Sequence, residues 1–277
     1  MNTKVIAEIG WNHMGDNDLA EKMIFEAKKS GADIVKFQYW NPKFLREGSW
    51  DQDGRREIYE KAALNEDKIN FLKSSAKNNN CSFLISVFGT KGAMLIKNMG
   101  FESIKIPSHE IANEKLLKFC SLNFKEIYLS AGAASSHEVI KAVRILKTSD
   151  CNFFLMHCVS SYPCPEENSN LSRINWLKTI HGKVGLSDHT QGLISPSIAV
   201  SMGAEVIEKH FTINKNLPGR DNKFALDPSE FRMMTKNILS TEKALINHGI
   251  ENQEIELDTI NNYRGRWEPQ DYKNTDE

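Results

Sequence analysis

The sequence predicts an α/β protein folded as a (β/α)8 barrel, the TIM-barrel architecture. Short apolar runs of strand length alternate with longer amphipathic stretches along the chain, the pattern of βαβ units around a parallel sheet. The runs are apolar on both faces, as strands covered by two layers must be. They make eight strand–helix units over about 250 residues, the size of one such barrel. An open doubly wound sheet is the alternative. It would carry a glycine-rich phosphate turn after its first strand, and residues 10–16, GWNHMGD, are not that fingerprint.

The strand candidates, in order, are residues 4–10 (KVIAEIG), 32–38 (ADIVKFQ), 81–87 (CSFLISV), 103–108 (SIKIPS), 126–132 (EIYLSAG), 151–158 (CNFFLMHC), 183–189 (KVGLSDH) and 206–212 (VIEKHFT). The first helix candidate, DLAEKMIFEAKKSG, opens on aspartate and closes on glycine, the start and stop signals of a helix. KINFLKSSAKNN, TKGAMLIKNMG, NEKLLKFCSL, SHEVIKAVRILK, NLSRINWLKTIHG, ISPSIAVSMGA and DPSEFRMMTKNILSTEKALINHG follow the remaining strands. Residues 39–60 break the rhythm as a long polar and aromatic loop, expected to overlie the active face. The barrel is expected over residues 1–250. The polar tail over 251–277 is expected to pack through Tyr263 and Trp267 alone.

Composition narrows the function classes. Among 277 residues, 40% are apolar and 26% charged, and the formal net charge is -1, so no global field draws the chain to nucleic acid or to an anionic membrane. Any anion must be held by a local site. No apolar run reaches the roughly 20 residues that span a bilayer, and the N-terminus reads as no signal peptide. The five cysteines, Cys81, Cys120, Cys151, Cys158 and Cys164, include no C-x-x-C pair and read as reduced thiols of a cytoplasmic protein.

Catalytic groups of such barrels sit at the C-terminal ends of strands. Those ends carry Glu8, Lys36, Gln38, Ser86, Lys105, Ser108, Glu110, Ser130, His157, Ser160, Tyr162, Ser187, Asp188, His189, Glu208, Lys209 and His210. A polar strand end is by itself more often a loop hydrogen bonder than a catalyst, a single histidine more often structural, and His157 reads equally as a lumen-packing residue. Lys36 and Lys105 are different. Each interrupts an apolar run, where an unpaired ammonium is costly, so each needs an internal carboxylate or a bound anion. With the neighbouring hydroxyls they suit a phosphate or carboxylate; a Schiff-base lysine is the other reading. His189 and His210 end adjacent strands and suit a shared divalent metal. Glu8, next to the last strand in a closed barrel, suits a base or a water-holding group.

Taken together, AEIGWNHMGD, GADIVKFQ, KIPSHEIAN, YLSAGA, HCVSSYPCPEEN, GLSDHTQG, GAEVIEKHFT and LPGRDNKFALDPSE resemble the sialic acid synthase family, whose members make N-acetylneuraminate, legionaminate or pseudaminate. The segments occur in family order from residue 4 to about 231. The resemblance implies a condensation of phosphoenolpyruvate with an open-chain N-acyl hexosamine, aided by Mn2+, Mg2+ or Co2+, in a homodimer. It implies His189 and His210 as metal ligands. Lys105, Ser86, Ser108, Ser130 and Ser187 would contact phosphoenolpyruvate, with Lys36 near its carboxylate. Glu8 and Glu208 would be acid/base or water-positioning groups, and Gln38, Glu110, Tyr162 and Asp221 would surround the sugar, with Ser160 beside them. The family's C-terminal antifreeze-like domain, which brings an arginine to the sugar, is expected to be absent here, with Arg220, Arg264 or Arg266 in that arginine's place. His109, Ser160 and Val87 differ from the family's usual glycine, asparagine and proline. The rival expectations are a non-catalytic barrel that binds sugar or phosphoenolpyruvate, and a Schiff-base aldolase.

Overall fold

A computed structural model describes residues 3–267. The eight strands are β1 (Lys4–Gly10), β2 (Ile34–Tyr39), β3 (Ser82–Val87), β4 (Ser103–Ile106), β5 (Glu126–Ser130), β6 (Asn152–Cys158), β7 (Val184–Asp188) and β8 (Ala204–His210). They pair in sequence order and β8 returns to β1, so the sheet is a closed parallel barrel. The helices are α1 (Asn17–Lys29), α2 (Arg55–Lys61), α3 (Glu66–Asn78), α4 (Thr90–Asn98), α5 (Glu114–Asn123), α6 (Ser136–Leu146), α7 (Arg173–Ile180), α8 (Ile194–Ser201), α9 (Pro228–Ala244) and α10 (Leu257–Asn262). Asp16, Asn65, Asn113 and Ser135 cap α1, α3, α5 and α6, each side chain accepting a backbone N–H that the first turn leaves unbonded. A cap of this kind contributes about 1 kcal/mol.

Side-chain alternation divides the core in two. Val5, Ala7, Ile9, Val35, Phe37, Ile85 and Ile127 point outward into the layer between sheet and helices. Ile6, Ile34, Leu84, Tyr128, Phe154, Met156 and Val206 point inward and plug the lumen. The polar residues further along the same strands therefore rest on an apolar floor.

The elements differ from expectation mostly at their ends. β4 stops at Ile106, because Pro107 has no N–H for the ladder, and Ser108–Glu110 form a 3-10 turn instead. β8 starts at Ala204 and ends at His210 rather than running from 206 to 212. The long β2–α3 connection is not one loop: it holds 3-10 turns at Pro42–Phe44 and Ser49–Asp51, followed by α2.

The chain divides into two compact units, with the boundary between Glu242 and Lys243. The first holds the barrel. The second has a 3-10 turn at Glu254–Glu256 and α10, and in it the Arg266 guanidinium lies over the rings of Tyr263 and Trp267. No helix among the described residues is long and apolar enough to cross a membrane.

Candidate active site

Strand register builds the centre of the site. Glu8 stands opposite Lys36 on one side and His210 on the other, Gln38 opposite Ser86, Ser86 opposite Lys105, and Ser187 opposite Glu208. All of these belong to the inward rows, so their side chains meet in the lumen above the apolar plug.

Glu208 is the hub. Its Oε2 accepts from Lys105 Nζ at 2.6 Å, and its Oε1 lies 3.4 Å from Lys36 Nζ and accepts from Ser187 Oγ at 3.1 Å. Lys36 Nζ also reaches Glu8 Oε2 at 3.0 Å, while Gln38 Nε2 donates to Glu8 Oε1. Glu8, Lys36, Lys105 and Glu208 are each 5% exposed or less. The two strand lysines thus have internal carboxylate partners. Removing one partner of such a buried set leaves an uncompensated charge.

Position within the set separates the carboxylates. Burial would push Glu208 up, but the ammonium groups of Lys105 and Lys36 overrule it and hold it well below the ordinary carboxylate range. Burial does raise Glu8, against the single nearby ammonium of Lys36, with the charge of Glu208 adding to the rise. Two carboxyls in one pocket with opposed shifts are a recurrent arrangement for acid/base work. For Lys105, burial prevails and lowers the ammonium; for Lys36, burial is outweighed by Glu208 and Glu8 and the group is raised.

The serines ring this centre. Ser130 Oγ is buried and makes no hydrogen bond among the described residues, so its hydroxyl can donate to a ligand oxygen. Ser108 Oγ accepts from Gly132 N at 3.0 Å. A Cβ added to Gly132 would come within 2.6 Å of Ser160 Oγ, 2.8 Å of Ser108 Oγ and 2.9 Å of Cys158 Sγ, so only glycine leaves this cradle open. Ser86 Oγ reaches Phe37 O at 3.5 Å.

Two residues up β8 and at the end of β7, the His189 and His210 ring centroids lie 5.5 Å apart, with Tyr162 4.1 Å from His189. His189 Nδ1 bonds the Val159 carbonyl at 2.8 Å, which leaves its other nitrogen for a ligand; His210 Nδ1 is buried and makes no hydrogen bond among the described residues. Burial and the neighbouring His189 keep His210 neutral, the form that binds metal. Asp221 Oδ2 lies 3.7 Å from His210 Nδ1, and burial pushes its carboxyl up to about 6. Among the described residues no three His, Cys, Asp or Glu side chains form a metal-holding group. The donor set present is two imidazoles, which fits a divalent ion that takes its remaining ligands from water or substrate.

Other candidates fall elsewhere. Glu110 Oε2 accepts from Asn113 Nδ2 at 2.7 Å and so braces the start of α5. Arg220 is exposed at the start of the Asp221–Lys223 turn. His157 points out of the lumen, with Nε2 2.7 Å from the Ser169 carbonyl. Asp188 and Lys209 pair at 2.6 Å behind the sheet, where Lys209 also donates to the carbonyls of Thr190 and Gly192. Conversely, three residues of the site carried no catalytic signal in the sequence. Cys158 occupies an inward position of β6, 3.8 Å from His189 Nδ1. Gly132 forms the cradle, and Arg173 braces it by donating to the carbonyls of Ala131 and Ala134. Strand parity alone could have found Cys158.

A profile of the NeuB family matches residues 23–249. The N,N'-diacetyllegionaminic acid synthase of Campylobacter jejuni is 36% identical over 258 residues, covering 88% of this chain and 77% of that protein. The pseudaminic acid synthase of the same species is 33% identical, covering 87% and 74%. The crystal structure of the N-acetylneuraminic acid synthetase of Leptospira borgpetersenii, in complex with citrate, superimposes with a TM-score of 0.85 at 34% identity over 94% of this chain and 90% of that one. With the family profile spanning most of the barrel and relatives matched over most of their own length, the chain belongs to the NeuB family.

Proposed function

We propose that this chain condenses phosphoenolpyruvate with the open-chain aldehyde of an N-acyl hexosamine, giving a nonulosonic acid and phosphate. The observation that carries this reading is the buried Glu8–Lys36–Glu208–Lys105 quartet set directly beneath two imidazoles 5.5 Å apart. Synthases of legionaminic, pseudaminic and N-acetylneuraminic acid among the relatives support it.

In the proposed reaction C3 of the enol phosphate attacks the aldehyde carbon. The C2=C3 and C=O π bonds break, the new C–C bond forms, the aldehyde oxygen takes up a proton to become a hydroxyl, and positive charge is left at C2. Water adds at C2 and loses one proton to give a hemiketal phosphate. Breaking the bond from C2 to the phosphate oxygen, with loss of the second water proton, releases phosphate and the 2-keto acid. Lys36 and Lys105 turn from Glu208 toward the ligand's carboxylate and phosphate, with Ser86, Ser108, Ser130 and Ser187 donating hydroxyl hydrogen bonds. Glu8, held between Gln38 and Lys36, orients the water and takes its proton. Glu208, whose carboxylate form the two ammonium groups favour before the ligand binds, lies where it would oppose the charge at C2. Gln38, Tyr162, Asp221 and Ser160 line the sugar side, and Glu110 acts through Asn113 and the α5 start. His189 and His210 would hold Mn2+, Mg2+ or Co2+, which when bound polarises the aldehyde oxygen. Because the groups are already fixed by one another, much of the rate comes from positioning.

Phosphate release from phosphoenolpyruvate tests the reading, measured with Mn2+ across N-acetylmannosamine and diacetamido-trideoxyhexoses. Release that needs both a sugar and metal, and is lost in His189→Ala, is the expected result. No release with any sugar from a protein that still binds phosphoenolpyruvate would overturn it.

A further inference from the structure

Cys158 stands between the two halves of the site and has no part in the reaction above. It is an inward residue of β6, 2% exposed, and its Sγ lies 3.8 Å from His189 Nδ1 and 3.9 Å from Ser160 Oγ. The Ser108 hydroxyl is within hydrogen-bonding reach of the same sulfur. A Cβ on Gly132 would meet Ser160 Oγ, Ser108 Oγ and Cys158 Sγ together, so these three atoms surround one point in the cradle. One sulfur therefore touches both the hydroxyls of the cradle and the imidazole proposed to hold the metal.

The hydrogens available give these contacts a direction. A carbonyl only accepts, so His189 Nδ1 carries the ring hydrogen toward Val159 O at 2.8 Å, and the nearby sulfur can only be a second acceptor of it. The thiol hydrogen then turns away from the ring, to a serine oxygen. Ser108 Oγ accepts from Gly132 N, which leaves its own hydrogen to point into the cradle. The donors thus run one way: His189 Nδ1–H to Cys158 Sγ, Sγ–H to the serine oxygen, and the serine O–H to whatever oxygen the cradle holds.

Each bond of such a chain polarises the next. An anionic oxygen in the cradle pulls on the serine hydrogen, the serine oxygen on the thiol hydrogen, and the sulfur on the ring hydrogen. An imidazole whose Nδ1–H is pulled in this way is a more basic ligand at Nε2. We infer that Cys158 is a positioning residue that couples two binding events. A phosphate oxygen in the cradle tightens the hold of His189 on a divalent ion, and the ion tightens the hold on the phosphate by the same factor. No proton leaves its atom. The inference rests on the condensing-enzyme reading, which puts phosphate in the cradle and the ion at the imidazoles.

The experiment leaves the sugar out, so nothing turns over. Free Mn2+ is followed by electron paramagnetic resonance, with protein-free blanks for the complex that Mn2+ forms with phosphoenolpyruvate itself. The Kd of the ion is measured with and without phosphoenolpyruvate in the wild type, Cys158→Ala and Cys158→Ser, and the ratio of the two constants is the coupling. It should be about tenfold in the wild type and fall to about a third of that in Cys158→Ala. Cys158→Ser, whose hydroxyl both accepts and donates, should keep it within about twofold of the wild type. A sulfur that merely filled space would change either Kd and leave their ratio alone. Equal coupling in the wild type and Cys158→Ala, or Cys158→Ser behaving as Cys158→Ala does, overturns the inference. A second measurement needs no Cys158 variant: in histidine-labelled wild type, the Nδ1–H resonance of His189, assigned by its absence in His189→Ala, should move downfield on adding phosphoenolpyruvate without metal. An unmoved resonance also overturns it. Coupling that depends on Cys158, with no phosphate release on adding any sugar, upholds the chain and sinks the synthase. Phosphate release with coupling indifferent to Cys158 sinks the chain alone, and neither release nor coupling sinks both.

Discussion

His13 lies 2% exposed just past β1, its ring 5.5 Å from Phe37 and its Nδ1 accepting from Gly15 N at 3.1 Å. Burial, with Lys68 nearby, lowers its pKa to about 4. Below its unfolded pKa of about 6.5 the unfolded chain takes a proton that the folded chain refuses, so stability is lost as pH falls from 6.5 toward 4. The shift corresponds to about 3 kcal/mol. His13→Gln, which can keep an acceptor for Gly15 N, should therefore show a smaller drop in urea-denaturation free energy between pH 6.5 and 4 than the wild type, by roughly that amount. Equal drops in the two proteins would mean that His13 is protonated at no cost in the fold. At the centre of the site Glu208→Gln should act more severely, because it leaves Lys105 and Lys36 facing each other with only Glu8 between them and their charge. Activity should fall by at least a hundredfold, and the melting temperature should fall with it, since breaking a buried charge set costs about 3–5 kcal/mol.

Strands show best what sequence can and cannot tell about such a site. The period of two is written in the residues of β8, where Glu208 and His210 fall on one face and Lys209 on the other. Without the barrel's register, though, nothing says which face is inside, so Asp188, Lys209 and His157 read as strand-end polar groups on a par with Glu208. The fold then sorts them. Asp188 and Lys209 turn outward, where their 2.6 Å pair ties β7 and β8 to the loop carbonyls of Thr190 and Gly192. The eight strands themselves were legible because strands buried on both sides are apolar throughout, while their ends depended on local matters such as Pro107. Gly132 was illegible: its meaning lies in three side chains, Ser108, Cys158 and Ser160, that arrive from other strands and loops. From the β7–β8 pair it follows that Lys209→Met should lower stability by about 3 kcal/mol or more. The double variant Lys209→Met, Asp188→Leu should recover part of that loss, and both should keep the turnover of the molecules that remain folded. A double variant no more stable than the single one would show that the carbonyl contacts of Lys209, rather than its charge pair, hold the loop.

Across the whole molecule, charge is nearly balanced: the formal net charge is -1, and within the lumen two lysines face two carboxylates. A barrel so balanced has no long-range pull on an anion, and phosphoenolpyruvate brings both a phosphate and a carboxylate into a space closed below by the apolar plug. Charge put there must be compensated on the spot. The lysines cannot supply more than they already hold, because each gives up a carboxylate partner as it turns to the ligand. Glu8 can: burial has already raised its pKa, and once Lys36 moves toward the ligand the ammonium that kept it ionised is weakened. Binding of phosphoenolpyruvate without metal should therefore be accompanied by proton uptake, by linkage between the two equilibria. Calorimetric titration in two buffers of different ionisation enthalpy reads that uptake directly from the difference in apparent heat. Glu8→Gln should bind with little or no uptake, and wild-type protein with Mn2+ present should also take up less, since a divalent ion offers the positive charge that the proton otherwise provides. Glu8 would then remain a carboxylate and keep its capacity to accept a proton from water, and in the proposed reaction a bound divalent ion would have an electrostatic effect beyond the aldehyde. Equal heats in both buffers without metal would show that Glu8 stays ionised through binding and that the ligand's charge is balanced elsewhere in the lumen.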